Sequence, residues 1–189
     1  MNEAIWLNDR SNIDLGFIVT GKSQRPGLPG TVDRTLTIPG RHGEYDFGAD
    51  MAPRHFVISC VFPERDATDL QQRIMTLARF LVDSYGRPRT LQLRLRERPG
   101  QYFTVRLVGN FDVERIIGTG IFQLPFTAFD PFAYADQEHI YENVITTSPK
   151  SIQVETIGNI RTSPVIVLTN EGTTTITRFR IVNEYRLEE

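Results

Sequence analysis

Over the first two thirds of the chain, apolar and polar side chains mostly alternate, the period of two that marks half-buried strands. Thr90–Arg96 shows it most cleanly: Leu91, Leu93 and Leu95 fall on one face, Gln92, Arg94 and Arg96 on the other. The Glu97-Arg-Pro-Gly100 turn leads into Tyr102–Val108, where Phe103, Val105 and Leu107 share a face. Phe111–Ile117 and Ile121–Phe129 predict a second hairpin around Gly118-Thr-Gly120. Pro125 marks the latter strand as an edge or a bulge. His55–Phe62 is apolar on both faces and predicts a central strand. Ala4–Leu7, Gly16–Thr20 and Thr31–Ile38 predict shorter strands. Gly21–Gly30 is a Gly/Pro-rich loop, and Gly40–Pro53 an exposed loop or bent hairpin tip.

One segment changes period. Leu70, Ile74, Leu77, Ala78, Leu81 and Val82 recur at helical spacing, which predicts a helix over Ala67–Tyr85 packed on a sheet. Thr68-Asp-Leu-Gln71 has capping-box spacing, Gly86 offers a left-handed cap, and Pro88 prevents continuation. Beyond Asp130-Pro131 the composition changes to Thr-rich, β-branched stretches: Ile140–Ile145, Ile152–Ile157, Pro164–Thr169 and Thr174–Val182. The reading is a mainly β (α+β) chain with two parts, residues 1–136 and 137–189. About fifty residues is thin for an independent β domain. The second part either docks on the first or belongs to a longer natural protein.

Charge narrows the function. The net charge is −2, with 16 basic and 16 acidic residues in 1–136, so no global field favours nucleic acid or anionic membrane. Only Lys22 and Lys150 among the 21 basic residues are lysines. Arginine suits crowded protein–protein contacts, although a GC-rich genome has the same effect. No segment reaches the roughly 20 apolar residues a membrane helix requires. The N-terminus lacks a signal-peptide pattern, so the expectation is a protein made and kept in a cytoplasm-like compartment, or released by lysis.

No catalytic, cofactor or metal pattern emerges. Cys60, the only cysteine, lies in an apolar run and reads as a buried hydrophobe. His42, His55 and His139 are dispersed, and His42 beside Glu44, Asp46 and Asp50 reads as a solvated turn. There is no nucleophile elbow and no phosphate-binding loop. Arg87, Arg89, Arg94, Arg96 and Arg98 are the strongest nucleic-acid candidates, with Arg106 opposite on the paired strand, but Glu97 interrupts them. A polar sheet face in a subunit contact is the better reading.

Three segments then stand out in order: IPGRHGEYDFG (38–48), FQLPFTAFDPFAYAD (122–136) and GNIRTSPVIVLTNEG (158–172). They resemble the distal tail protein (Dit) family of long-tailed phages infecting Gram-positive hosts. That resemblance implies a β-sandwich or split-barrel N-terminal domain with one packed helix, six copies of which form a ring around a channel through which DNA passes unbound. It also implies a partial galectin-like module over 137–189, with the domain junction at Asp130 and Pro131. The implied partners are further copies of the chain, the tail-tube protein and the tail hub or fibre protein, at the virion tail tip after assembly in the host cytoplasm. No membrane is involved. By position, the Gly21–Pro53 region corresponds to the ring contacts, with Arg34, Pro39, Gly40, Arg41, His42, Gly43, Tyr45, Asp46 and Phe47 at the subunit interface. The alternatives are a tail-tube or tail-completion protein, and a module that binds wall carbohydrate; residues 137–189 offer Tyr141, Phe179 and Tyr185 as aromatic platforms. Trp6 reads as a plug for a core or interface.

Overall fold

The computed structural model of the protein describes residues 3–184 apart from 65, 117, 118, 157 and 159. In chain order its elements are β1 (Ile5–Leu7), β2 (Arg10–Ser11), β3 (Ile18–Val19), β4 (Thr31–Leu36), β5 (Tyr45–Met51) and β6 (Arg54–Phe62). They continue with α1 (Ala67–Leu81), β7 (Thr90–Leu95), β8 (Gln101–Leu107), β9 (Val113–Ile116), β10 (Thr119–Ala128) and β11 (Tyr134–Ala135). The chain divides into two units, Met1–His139 and Ile140–Glu189.

In the first unit, β6 and β10 pair antiparallel without interruption from Gly120↔Phe62 to Ala128↔Arg54. Because side chains alternate, this register turns Phe56, Ile58, Cys60 and Phe62 to the same side as Phe122, Leu124 and Phe126, and all are buried. Phe122 stacks on Phe62 with centroids 4.4 Å apart and meets Phe17 and Phe111 edge-on at 5.8 and 5.4 Å. The sheet runs β2-β1-β7-β8-β10-β6-β3, with β9 beside β10 and β11 beside β8. Its outermost strands, β2 and β3, are joined by only residues 12–17. Buried Asn12 holds that bend: its Oδ1 accepts from the Ala4 and Ile5 amides, and its Nδ2 donates to the Phe17 carbonyl at 3.0 Å. The sheet therefore curls round a single core, as a split barrel does.

Pro125 lies on a central strand, neither at the sheet edge nor in a bulge as the sequence implies. Val57, its register partner, exchanges both backbone hydrogen bonds with Gln24, so Val57–Pro125 is a non-hydrogen-bonded pair. The proline nitrogen therefore faces the opposite flank. There β9 pairing has ended at Phe122, and β8 pairing starts only at Phe126. The Val108 amide still donates to the Pro125 carbonyl at 2.9 Å, so only the return bond from the proline nitrogen is missing, where the β8 ladder ends.

The helix differs from expectation at both ends. Its cap is Asp66, not Thr68: the Asp66 carboxylate accepts from the Thr68 and Asp69 amides at 2.7 and 3.2 Å. It stops at Leu81 instead of Tyr85 because the Asp83 carboxylate captures the Tyr85 and Arg87 amides, both at 2.8 Å. Gly86, at φ 73°, serves this loop and not a helix cap. Leu70, Leu77 and Leu81 enter the core. Leu70 lies so close to β10 that a Cβ on Gly120 would stand 2.8 Å from its Cδ1 and 2.9 Å from Val113 Cγ1. Ile117 and Gly118, assigned by pattern to the β9–β10 turn, lie outside the described residues.

In the second unit, the described residues form no strand. The stretches expected as strands at 140–145, 152–157, 164–169 and 174–182 are not strands among the described residues; Ile157 and Tyr185 lie outside them. β-branched side chains favour a strand only when a ladder partner and a core receive them. Here Val165 is 92% exposed and Ile140, Val167 and Phe179 are also exposed. The polar contacts are local: Tyr141 Oη donates to the Glu155 carbonyl, and Lys150 Nζ to Asn143 Oδ1 and the Val144 carbonyl.

The helix–sheet approach yields a prediction. Gly120→Val should destabilise the protein by about 1–3 kcal/mol through overpacking against Leu70 and Val113. Urea unfolding checks it; an unchanged midpoint would show that α1 does not pack there.

Candidate functional site

β4 and β5 form a separate two-stranded sheet. Where the sequence reading saw a loop or hairpin tip over 40–53, β5 is a full strand, and every residue of both strands is exposed. Gly48 and two acids, Asp46 and Asp50, masked it, being poor strand formers. The ribbon closes at its base through the Ala52 amide on the Gly30 carbonyl, 2.8 Å. Six residues of β4 at about 3.3 Å each carry it roughly 20 Å outward.

Register assigns the faces. Val32 pairs with Asp50, Asp33 with Ala49, Thr35 with Asp46 and Leu36 with Tyr45. Between them Arg34 opposes two residues, Phe47 and Gly48, and Gly48 takes φ 90°, the conformation of a glycine bulge. The Asp46 carboxylate accepts the Gly48 amide at 2.8 Å and holds that kink. One face thus carries Val32, Arg34, Leu36, Tyr45 and Asp50, with Arg34 Nε donating to Asp50 Oδ2 at 2.7 Å. The other carries Thr31, Asp33, Thr35, Asp46, Ala49 and Met51. Phe47, at the bulge, is 68% exposed.

The tip is built by Pro39 and Gly40, which occupy the central positions of a turn closed by the Arg41 amide on the Ile38 carbonyl, 3.1 Å. Gly40 has φ 85°, as a type II turn requires. Gly43, at φ 79°, makes the second bend. The Arg41 guanidinium lies 3.6 Å over the Tyr45 ring, and Thr37 Oγ1 donates to Glu44 at 3.2 Å. His42 is exposed at the tip. The structure therefore places Arg34, Pro39, Gly40, Arg41, His42, Gly43, Tyr45, Asp46 and Phe47 on one arm. Sequence reading missed Val32, Leu36 and Asp50, which the register adds.

Asp130 and Pro131 stand apart from the arm. The Asp130 carboxylate accepts from the Phe132 amide at 3.2 Å and from the Tyr134 hydroxyl. It thereby turns the chain back so that β11 pairs with β8 and Tyr134 stacks on Tyr102 at 5.9 Å. The same contact raises the Tyr134 pKa.

The arginine group does not form an open basic stripe. Arg94 is engaged by Asp136 at 2.8 Å, by the Asn8 carbonyl and by Gln92. Arg106 pairs with Thr90, at the far end of the hairpin from Arg94, and lies 4.7 Å over Phe129. Cys60 is buried, and burial pushes its thiol pKa well up. Among the described residues no three His, Cys, Asp or Glu side chains converge as metal ligands, and no helix is long and apolar enough to cross a membrane. Trp6 is half-buried on β1, paired with Arg94.

A family model described as the phage tail protein RIFT-related domain matches residues 13–128. No curated protein matches the chain. Among solved structures, the SPP1 Dit protein aligns with a TM-score of 0.60 at 17% identity, over 71% of this chain. This chain spans 53% of that protein's length. Its crystal structure is described as a paradigm of the hub adsorption apparatus in phages that infect Gram-positive hosts.

The bulge predicts a separation of local from global stability. Gly48→Val forces a β-branched residue to positive φ, at a cost of about 1–3 kcal/mol to the ribbon. Amide exchange across 32–36 and 45–50 should accelerate while the melting temperature of the body stays unchanged. A fall in the latter would show that the arm supports the core.

Proposed function

This chain belongs to the phage tail protein RIFT-related domain family and is a structural component of the virion tail; from that premise we propose that it is a ring-forming distal tail protein whose β4–β5 arm docks on the next copy. The supporting observation is the arm itself. An isolated two-stranded hairpin is marginal in water, yet this one stands exposed on both faces with Val32, Leu36, Tyr45, Phe47 and Met51 uncovered. Its strands also present outer edges with unpaired backbone groups, a ready template for another surface. A neighbouring copy removes both penalties, and closed rotational symmetry repeats the contact without leaving a free end.

In this reading residues 1–136 are the ring-forming domain, and the interface consists of Arg34, Pro39, Gly40, Arg41, His42, Gly43, Tyr45, Asp46 and Phe47, joined by Val32 and Leu36. Tyr45, held by Arg41, and Phe47 are the anchors, since aromatic residues dominate interface energetics. A hexamer would leave a channel for DNA, with the tail tube on one side and the hub or fibre on the other. Assembly takes place in the host cytoplasm. The mechanism is geometric, and no turnover chemistry is involved. Asp130 and Pro131 end the ring domain.

Light scattering after size exclusion, at several protein and salt concentrations, tests this reading. A discrete species near six times 21.6 kDa is expected. Tyr45→Ser with Phe47→Ser should raise the concentration needed for association by at least about tenfold, with an unchanged melting temperature because both side chains are exposed. A monomer at all concentrations, or full assembly by the double variant, would overturn the proposal.

A further inference from the structure

Strand β6 begins with a cation that has no counter-charge among the described residues. Arg54 is only 6% exposed, yet its Nε has no hydrogen-bond partner. Among the described residues no carboxylate forms an ion pair with it. Its guanidinium lies 4.9 Å from the centre of the Phe103 ring. Arg98, from the turn between β7 and β8, shares that ring at 5.8 Å and adds a second positive charge. The acid of the same turn, Glu97, is paired with Arg25. The Arg98 guanidinium donates to the Gly27 carbonyl at 3.4 Å, a neutral acceptor. Burial, and then Arg98, lowers the Arg54 pKa, consistent with two cations crowded together.

A buried charge is costly unless paired and hydrogen-bonded. A ring face offsets a guanidinium's charge in part but accepts none of its in-plane donors. The missing partner is a negatively charged hydrogen-bond acceptor, and the planar fork of arginine matches an oxyanion in two-point geometry. We infer that Arg54 and Arg98 are the two sides of a binding site for a single oxyanion, a phosphate or a carboxylate group. The site is built by the start of β6, the β7–β8 turn and the loop at Gly27, so it is distinct from the arm. A carboxylate would come from a second copy of the chain, a phosphate from solution.

The test uses the full chain titrated with inorganic phosphate, and separately with acetate, at fixed pH and ionic strength against chloride. The melting temperature and the Arg54 and Arg98 Nε–H resonances are followed. Phosphate should raise the melting temperature saturably, as a ligand of the native state does, and should move both resonances along one curve. Arg98→Met should weaken that response at least about tenfold. Arg98 lies outside the strands, so this variant keeps the fold if Arg54→Met does not. A phosphate response without an acetate response assigns free phosphate. An equal acetate response, lost as copies associate, assigns the carboxylate of a neighbour. A wild-type response no larger than with chloride, or an undiminished one in Arg98→Met, overturns the site, whatever the oligomeric state.

Discussion

The antiparallel pairing of β6 with β10 sets the position of every other element of the first unit. Both strands turn their aromatic and aliphatic side chains inward, and Phe122 gathers Phe17, Phe62 and Phe111 around one ring. The flanks of the pair are then recruited in turn: β3 and Gln24 along β6, β8 and β9 along β10. The helix can approach only where Gly120 leaves room for Leu70. Asn12 draws the outer strands of the order together, so the sheet encloses its core instead of exposing a long edge.

The arm is the counterpart of that economy. The β10 strand packs into the core of its own unit, whereas every residue of β4 and β5 is exposed. Their conformation is specified locally, by a Pro-Gly turn, a glycine bulge and the Arg41–Tyr45 stack. Such local devices preorganise the ribbon and reduce what must be ordered on docking. A body with its own core that carries a preformed but uncovered arm suits the ring contact proposed for it.

Arginine does different work at different depths of this protein. Arg94 ties the sheet to residues 8, 92 and 136. Arg41 stiffens the arm tip. Arg54 is buried, and among the described residues no carboxylate pairs with it. Composition alone records that arginine is abundant and cannot separate these roles.

Periodicity was enough to locate β6, β7, β8, β10 and α1, because each buries one face and so must alternate or repeat at a fixed period. The Pro-Gly turn at the arm tip was legible for a similar reason: steric limits on φ act within a few residues. The strand character of β5 was not legible, since Gly48 and its acids are poor strand formers and only pairing with β4 holds them extended. Nor was the site of Pro125, whose tolerance depends on where two other strands begin and end. The β-branched stretches after residue 140 show the converse, strong strand propensity without strands. The sequence by itself determined which segments could bury a face and where the backbone must turn. Only the tertiary structure decided which segments met a partner, because hydrogen-bond ladders and desolvated cores are properties of pairs of segments and not of one.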